Sequence, residues 1–98
     1  MAKKTLSIDL PFGTFEQLSL VPGTAQTLTS TYIRKGAIIV PEGGPIRYRA
    51  DSTTVTADAG MPLEDGATLI LKDHTSLTRF SAICSEAAEV TLNVHHLG

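Results

Sequence analysis

Hydrophobic and polar residues alternate in short runs along this chain, and a period of two predicts β-strands because successive side chains point to opposite faces. The clearest run covers residues 46–50, in which Ile46, Tyr48 and Ala50 share one face while Arg47 and Arg49 share the other. The same pattern predicts strands over residues 5–10, 78–84 and 89–96, while residues 12–20 contain a second apolar-rich segment and residues 67–71 form an apolar run. In the last of these, Val90, Leu92, Val94 and His96 form the predicted apolar face.

A continuous apolar run over residues 37–40 predicts a strand buried on both faces. The turn residues Glu42 to Pro45 follow it, so a hairpin is expected over residues 37–50. Residues 25–33 are irregular, with Leu28 and Ile33 as candidate anchors, and residues 72–76 are predicted to form a turn. No amphipathic helix is predicted.

Strands separated by frequent turns predict an all-β fold. We expect one antiparallel β-sandwich domain spanning residues 1–98, with jelly-roll connections as one form of it, and an extended N-terminal arm at residues 1–11. A chain of this length holds one modest core.

Composition limits the classes of partner and of covalent structure that the chain can have. The net charge is −2 and charged residues make up 18% of the chain, so nothing drives it toward nucleic acid. Cys84 is the single cysteine, which excludes an internal disulfide and suits a buried small hydrophobe. We expect no signal peptide and no membrane span, hence synthesis in a cytoplasm.

No residue pattern predicts an enzyme, a cofactor site or a metal site. His95 and His96 are neighbours on a predicted strand, so their rings should point to opposite faces, while His74 lies in a turn. The acidic pairs Glu64/Asp65 and Glu86/Glu89 lie in or beside turns, where such residues are common. Neither a calcium-loop pattern nor a nucleophile elbow is present.

Two further sets of residues have both a structural and a functional interpretation. Arg47 and Arg49 suit either a solvated sheet face or a subunit contact, since arginine forks onto carboxylates at interfaces. Tyr32 and Tyr48 are the only tyrosines and would have to form any sugar-stacking platform, although Tyr48 shares the face of Ile46 and is expected in the core.

A family resemblance rests on GAIIV at 36–40, GPIRYRAD at 44–51, GMPL at 60–63, GATL at 66–69, LTRFSAI at 77–83 and EVTLNV at 89–94. These segments resemble small structural proteins encoded in the virion gene clusters of tailed bacteriophages and prophages. The resemblance covers residues 36–94 and implies a β-rich virion component without enzymatic activity.

The expected function is therefore a capsid decoration or cement protein at the virion surface, bound to the major capsid protein as a homo-oligomer, with a trimer favoured. Candidate interface residues are Leu6, Ile8 and Leu10 on the apolar face of the arm, together with Arg47 and Arg49. The alternative is a tail, baseplate or fibre component that binds host glycan, and a small enzyme or metal-binding module ranks third.

Overall fold

The computed structural model describes residues 11–56, 58–84 and 89–98 of the chain. These residues form eight strands: β1 (Phe12–Leu20), β2 (Gln26–Thr27), β3 (Gly36–Glu42), β4 (Ile46–Arg49), β5 (Met61–Leu63), β6 (Leu69–Leu71), β7 (Ser81–Cys84) and β8 (Val90–Leu97). A 3-10 turn spans Ser30–Tyr32, and a five-residue helix, α1, spans His74–Thr78.

The strands make two antiparallel four-stranded sheets. Sheet 1 has the order β1-β8-β3-β6 and sheet 2 has the order β2-β7-β4-β5. The all-β prediction is confirmed, and within the described residues neither sheet closes into a barrel.

Both sheets contribute to one cluster of buried side chains. Sheet 1 supplies Leu20, Ala37, Ile39, Val90, Leu92 and Val94, and sheet 2 supplies Ile46, Leu63, Ala82 and Cys84. The apolar face predicted for the last strand is confirmed, since Val90, Leu92, Val94 and His96 are all fully buried. Leu28 and Ile33 are also buried in the cluster and anchor the irregular segment between β1 and β3, as expected.

The hairpin predicted over residues 37–50 is wrong. β3 pairs with β8 and β6 in sheet 1, whereas β4 pairs with β7 and β5 in sheet 2. The turn at residues 43–45 therefore carries the chain from one sheet to the other. Burial of β3 on both faces is also only partly right, because Ile38 and Val40 are half-buried while Ala37 and Ile39 are buried.

The turn expected over residues 72–76 contains the short helix α1 instead. Asp73 caps it: its carboxylate accepts hydrogen bonds from the backbone N–H of Ser76 at 2.8 Å and from the Ser76 hydroxyl at 2.8 Å. Leu77 is the buried residue of the helix and joins the core cluster. The strand expected from residue 78 accordingly begins later, at Ser81.

The loop between β4 and β5 lies against the outer side of sheet 2. Val55 is 2% exposed although it lies outside the core cluster, and its backbone N–H donates to the Ser81 hydroxyl at 2.9 Å. At Gly60 the backbone passes so close to Val55 that an added Cβ would lie 2.5 Å from Val55 Cγ2. Arg47 Nη1 donates to the Gly60 carbonyl at 2.9 Å and so holds the end of the loop.

Candidate interaction surface

The outer side of sheet 1, facing away from the core cluster, carries an apolar row that crosses all four strands. Phe15 of β1 is paired in register with His95 of β8, His95 with Ile38 of β3, and Ile38 with Ile70 of β6. Their strand neighbours Ala37, Ile39 and Leu71 pack in the core, so alternation directs the row outward. We call these four residues and Phe12 the apolar row.

Phe12 joins the row because of an irregularity in β1. Residues three apart on a regular strand point to opposite faces, but the register with β8 shifts between Phe12 and Phe15. Both rings then contact His95, Phe12 at a centroid distance of 4.6 Å and Phe15 edge-on at 5.7 Å. They remain 64% and 52% exposed, so two aromatic rings stand in solvent around one imidazole.

The rest of this face is almost uncharged. Beyond the row, the outward strand positions are Gln17, Ser19, Val40, Glu42, Thr91 and Asn93, of which Glu42 alone is a carboxylate. Gln17 Nε2 donates to Asn93 Oδ1 at 2.7 Å, and Asn93 Nδ2 donates to Glu42 Oε1 at 3.1 Å. Aromatic content with few charges is typical of the centre of a protein interface.

The two candidate arginines have contacts within the chain. Arg47 is held by the Gly60 carbonyl, and the Arg49 guanidinium forms a two-point contact with the Asp51 carboxylate at 2.6 and 3.0 Å. The hydrogen bond from Arg49 lowers the pKa of Asp51 and raises that of Arg49. Both arginines lie on the outer side of sheet 2, away from the apolar row. Leu6, Ile8 and Leu10, like all of residues 1–10 of the expected arm, lie outside the described residues.

The two tyrosines have different ring contacts. Tyr48 is half-buried, packs against the core cluster and stacks on Phe80 with a centroid distance of 5.8 Å. Tyr32 lies edge-on to the buried ring of His96 at 6.0 Å. The two rings therefore pack against different partners, His96 and Phe80.

The histidines diverge as expected: His95 lies on the outer face and His96 is buried. His96 Nε2 lies 2.6 Å from Glu16 Oε2, and the Thr29 hydroxyl donates to Glu16 Oε1 at 2.7 Å. His96 Nδ1 has no hydrogen-bond partner among the described residues. This pair is closed to solvent, so it ties β1, β8 and residue 29 together and is not exposed to a substrate.

The remaining titratable side chains of the described residues bear on two kinds of site, a metal site and a reactive thiol. No group of three or more histidine, cysteine, aspartate or glutamate side chains there could hold a metal ion. The Cys84 thiol is buried, and desolvation raises its pKa above the ordinary value. No described helix has the length and apolar composition to cross a bilayer.

Sequence reasoning missed the apolar row. Its members come from four strands far apart in the chain, and the spacing of Phe12 and Phe15 suggests opposite faces. The available signal was Gly13-Thr14 between them, since glycine within a strand often marks a bulge. No protein-family model, curated protein or solved structure matches this chain.

Proposed function

We propose that this chain is a non-enzymatic structural protein of a tailed-phage virion, a decoration or cement protein that binds the major capsid protein on the surface of the assembled head. The proposal combines the resemblance of residues 36–94 to small virion proteins with the outer face of sheet 1. In this proposal the two sheets are the layers of a β-sandwich, an architecture used by jelly-roll capsid domains.

The observation that carries the proposal is the apolar row, in which Phe12 and Phe15 are exposed and the other members half-buried, with little charge around it. The core cluster takes buried side chains from both sheets and includes neither Phe12 nor Phe15. The side chains of Phe12 and Phe15 lie outside that core and are exposed to solvent. Contiguous exposed apolar surface of this kind marks a site of protein association.

A cement protein acts by mass action. It binds the assembled shell and not the separate subunits, so each bound copy shifts the equilibrium toward the assembled state. Binding of this kind requires complementary surfaces and symmetry, and it requires no catalytic residue. The buried Glu16–His96 pair and the buried Cys84 are consistent with that role.

The N-terminal segment is the proposed contact with the shell. Residues 5–10 alternate, with Leu6, Ile8 and Leu10 in one phase, and an alternating segment can add to the edge of a neighbouring sheet through main-chain hydrogen bonds. Pro11, where the described chain begins, is exposed, and its carbonyl accepts from the Gly98 N–H at 2.8 Å.

The test is sedimentation of the purified protein with tail-free heads and, separately, with isolated tails. Wild type should co-sediment with heads alone. Deleting residues 2–9 should abolish this binding while the far-ultraviolet spectrum of the domain is unchanged. Binding to tails alone would favour the baseplate or fibre alternative, and unchanged binding by the deleted protein would exclude the arm as the contact.

A matched pair of variants tests which of the two sets of alternating side chains in the arm contacts the shell. Replacing Leu6, Ile8 and Leu10 by serine should abolish head binding, because it removes the apolar side chains of one phase. Replacing Thr5, Ser7 and Asp9 by alanine changes the same number of residues in the other phase and should leave binding intact.

A further inference from the structure

Phe12 and Phe15 of the apolar row are exposed, so the row is available to a partner surface. We propose that a second copy of this chain does, with the outer faces of the two sheet 1 layers packed together around a two-fold axis that crosses the middle of β3. This inference rests on the proposed function and deepens it, because it names the oligomer that the shell receives.

The chemistry of the face suits a copy of itself. Aromatic and aliphatic side chains of the row would meet the same row of the partner, and the amides of Gln17 and Asn93 can both donate and accept. In a two-fold contact the same patch serves both subunits and must be self-complementary. An uncharged apolar and amide surface meets that condition because it brings no like charges together at the centre.

The charges at the two ends of β3 set the direction of packing. Arg34 and Lys35 immediately precede the strand and are exposed, whereas Glu42 is its last residue and is exposed. Glu89 lies at the acidic end as well, since Thr91 of β8 pairs with Glu42. A two-fold axis across the middle of β3 reverses the partner strand and places the basic end of each copy beside the acidic end of the other. Parallel stacking would instead bring like charges together, which is unfavourable.

The available area suits a small dimer interface. Strands of 9, 8, 7 and 3 residues, about 4.8 Å apart and rising about 3.3 Å per residue, give a face of roughly 430 Å² in plan. Two such faces bury roughly 860 Å², slightly below the roughly 1,000 Å² of a stable specific interface, which is the range of a weak contact. Dimer formation should therefore depend on protein concentration. The proposed oligomer differs from the trimer favoured from the sequence.

Sedimentation velocity on the full-length protein, from about 1 µM to about 1 mM, tests the proposal directly. Wild type should pass from monomer to dimer across this range. Phe15→Thr, which keeps β-propensity and removes the ring, should weaken dimerisation by roughly tenfold or more. Met61→Thr is the matched control, because Met61 is a 59% exposed apolar residue of sheet 2, and it should dimerise like wild type.

A charge exchange tests the two-fold geometry itself. Lys35→Glu and Glu42→Lys should each dimerise roughly tenfold more weakly, since each places like charges at both ends of the contact. An equimolar mixture of the two variants should form a heterodimer, because every end contact then joins opposite charges. Asp58→Lys and Arg79→Glu make the same charge changes elsewhere on exposed residues and should neither lose dimers alone nor gain any on mixing.

Three results would overturn the proposal: a wild type that stays monomeric at the highest concentration, a trimer, or a variant mixture that forms no heterodimer. A deletion of residues 2–9 that converts a monomer into a dimer would also overturn it, because the chain's own N-terminal segment would then cover the face. All these measurements use free protein, so failure to bind heads leaves them unaffected, and a monomer that still binds heads would refute the dimer alone.

Discussion

Glu16 of β1 and His96 of β8 meet inside the fold, with Oε2 and Nε2 2.6 Å apart and side chains 8% and 0% exposed. Glu16 is paired in register with Val94, so the contact runs diagonally between the strands on their buried side. The backbone N–H and hydroxyl of Thr29 also donate to the Glu16 carboxylate, at 3.3 and 2.7 Å. One buried carboxylate thus links the edge strand of sheet 1 to its neighbour and to the segment that leads into β3.

Removing the carboxylate should be costly. Glu16→Ala leaves His96 and the Thr29 donors without an acceptor in a closed site, and we expect a loss of about 3 kcal/mol or more in the free energy of unfolding. Glu16→Gln should lose clearly less, since its amide can still accept from Thr29 and donate to the imidazole. Urea unfolding measures both variants, and equal losses would contradict the assignment of hydrogen bonds.

Capping of α1 should depend on pH. The Ser76 N–H and hydroxyl lower the pKa of Asp73 below its ordinary value of 3.8. A carboxyl whose pKa is lowered by folding contributes stability above its unfolded value, and this contribution disappears as the pH falls through the folded value. Asp73→Ala should therefore lower Tm at pH 7, with a deficit that shrinks below pH about 4.

Asp73→Asn is the control for this titration. Asparagine caps a helix about as well as aspartate but does not ionise in this range, so its Tm should change less than that of wild type as the pH falls. A deficit in Asp73→Ala that persists undiminished at pH about 2 would show that the carboxylate charge contributes nothing.

The loop over sheet 2 should be sensitive to a single methyl group. A Cβ at position 60 would lie 2.5 Å from Val55 Cγ2 and 3.2 Å from the Tyr48 carbonyl oxygen, so Gly60→Ala should cost about 1–3 kcal/mol. Shortening the opposing side chain with Val55→Ala relieves the first contact. The double variant should therefore lose less stability than the sum of the single losses, by roughly 1 kcal/mol, and strict additivity would exclude the contact as the cause.

The thiol of Cys84 should be unreactive in the folded protein. It is 2% exposed, its sulfur lies 3.6 Å from the Leu20 carbonyl oxygen, and burial raises its pKa, so little thiolate forms at neutral pH. Labelling by an aromatic disulfide reagent should be on the order of a hundredfold slower than in denaturant, because it requires local opening. Rapid labelling of the native protein would contradict the burial of this strand.

The longer alternating strands and their buried phases could be predicted from the sequence because alternation is local, whereas the short strands β2 and β5 were not predicted. A period of two alone predicts which face of β8 is buried and that the side chains of His95 and His96 point in opposite directions. Pairing between strands could not be predicted in the same way: the turn after β3 shows that the chain changes direction, yet it does not show that β4 joins another sheet. The helix α1 is too short for a helical period to be visible, and Asp73 with Ser76 was its only local signal.

The candidate surface was harder to predict for a related reason. Ile38 and Ile70 each sit in apolar runs that read as core, and only the arrangement of four strands shows that they share an outer row with Phe15 and His95. Val55 illustrates the opposite case. A lone valine in a polar loop carries no periodic signal, although its side chain is almost fully buried.

The position of Val55 also has a consequence for the size of the proposed assembly. Because its loop lies against the outer side of sheet 2, that side presents polar loop residues, while sheet 1 leaves its apolar side open. A molecule with two stackable faces could add layers without end and build a fibre, whereas one with a single such face stops at two layers. In the proposed dimer, the loop over sheet 2 would therefore stop association at two layers.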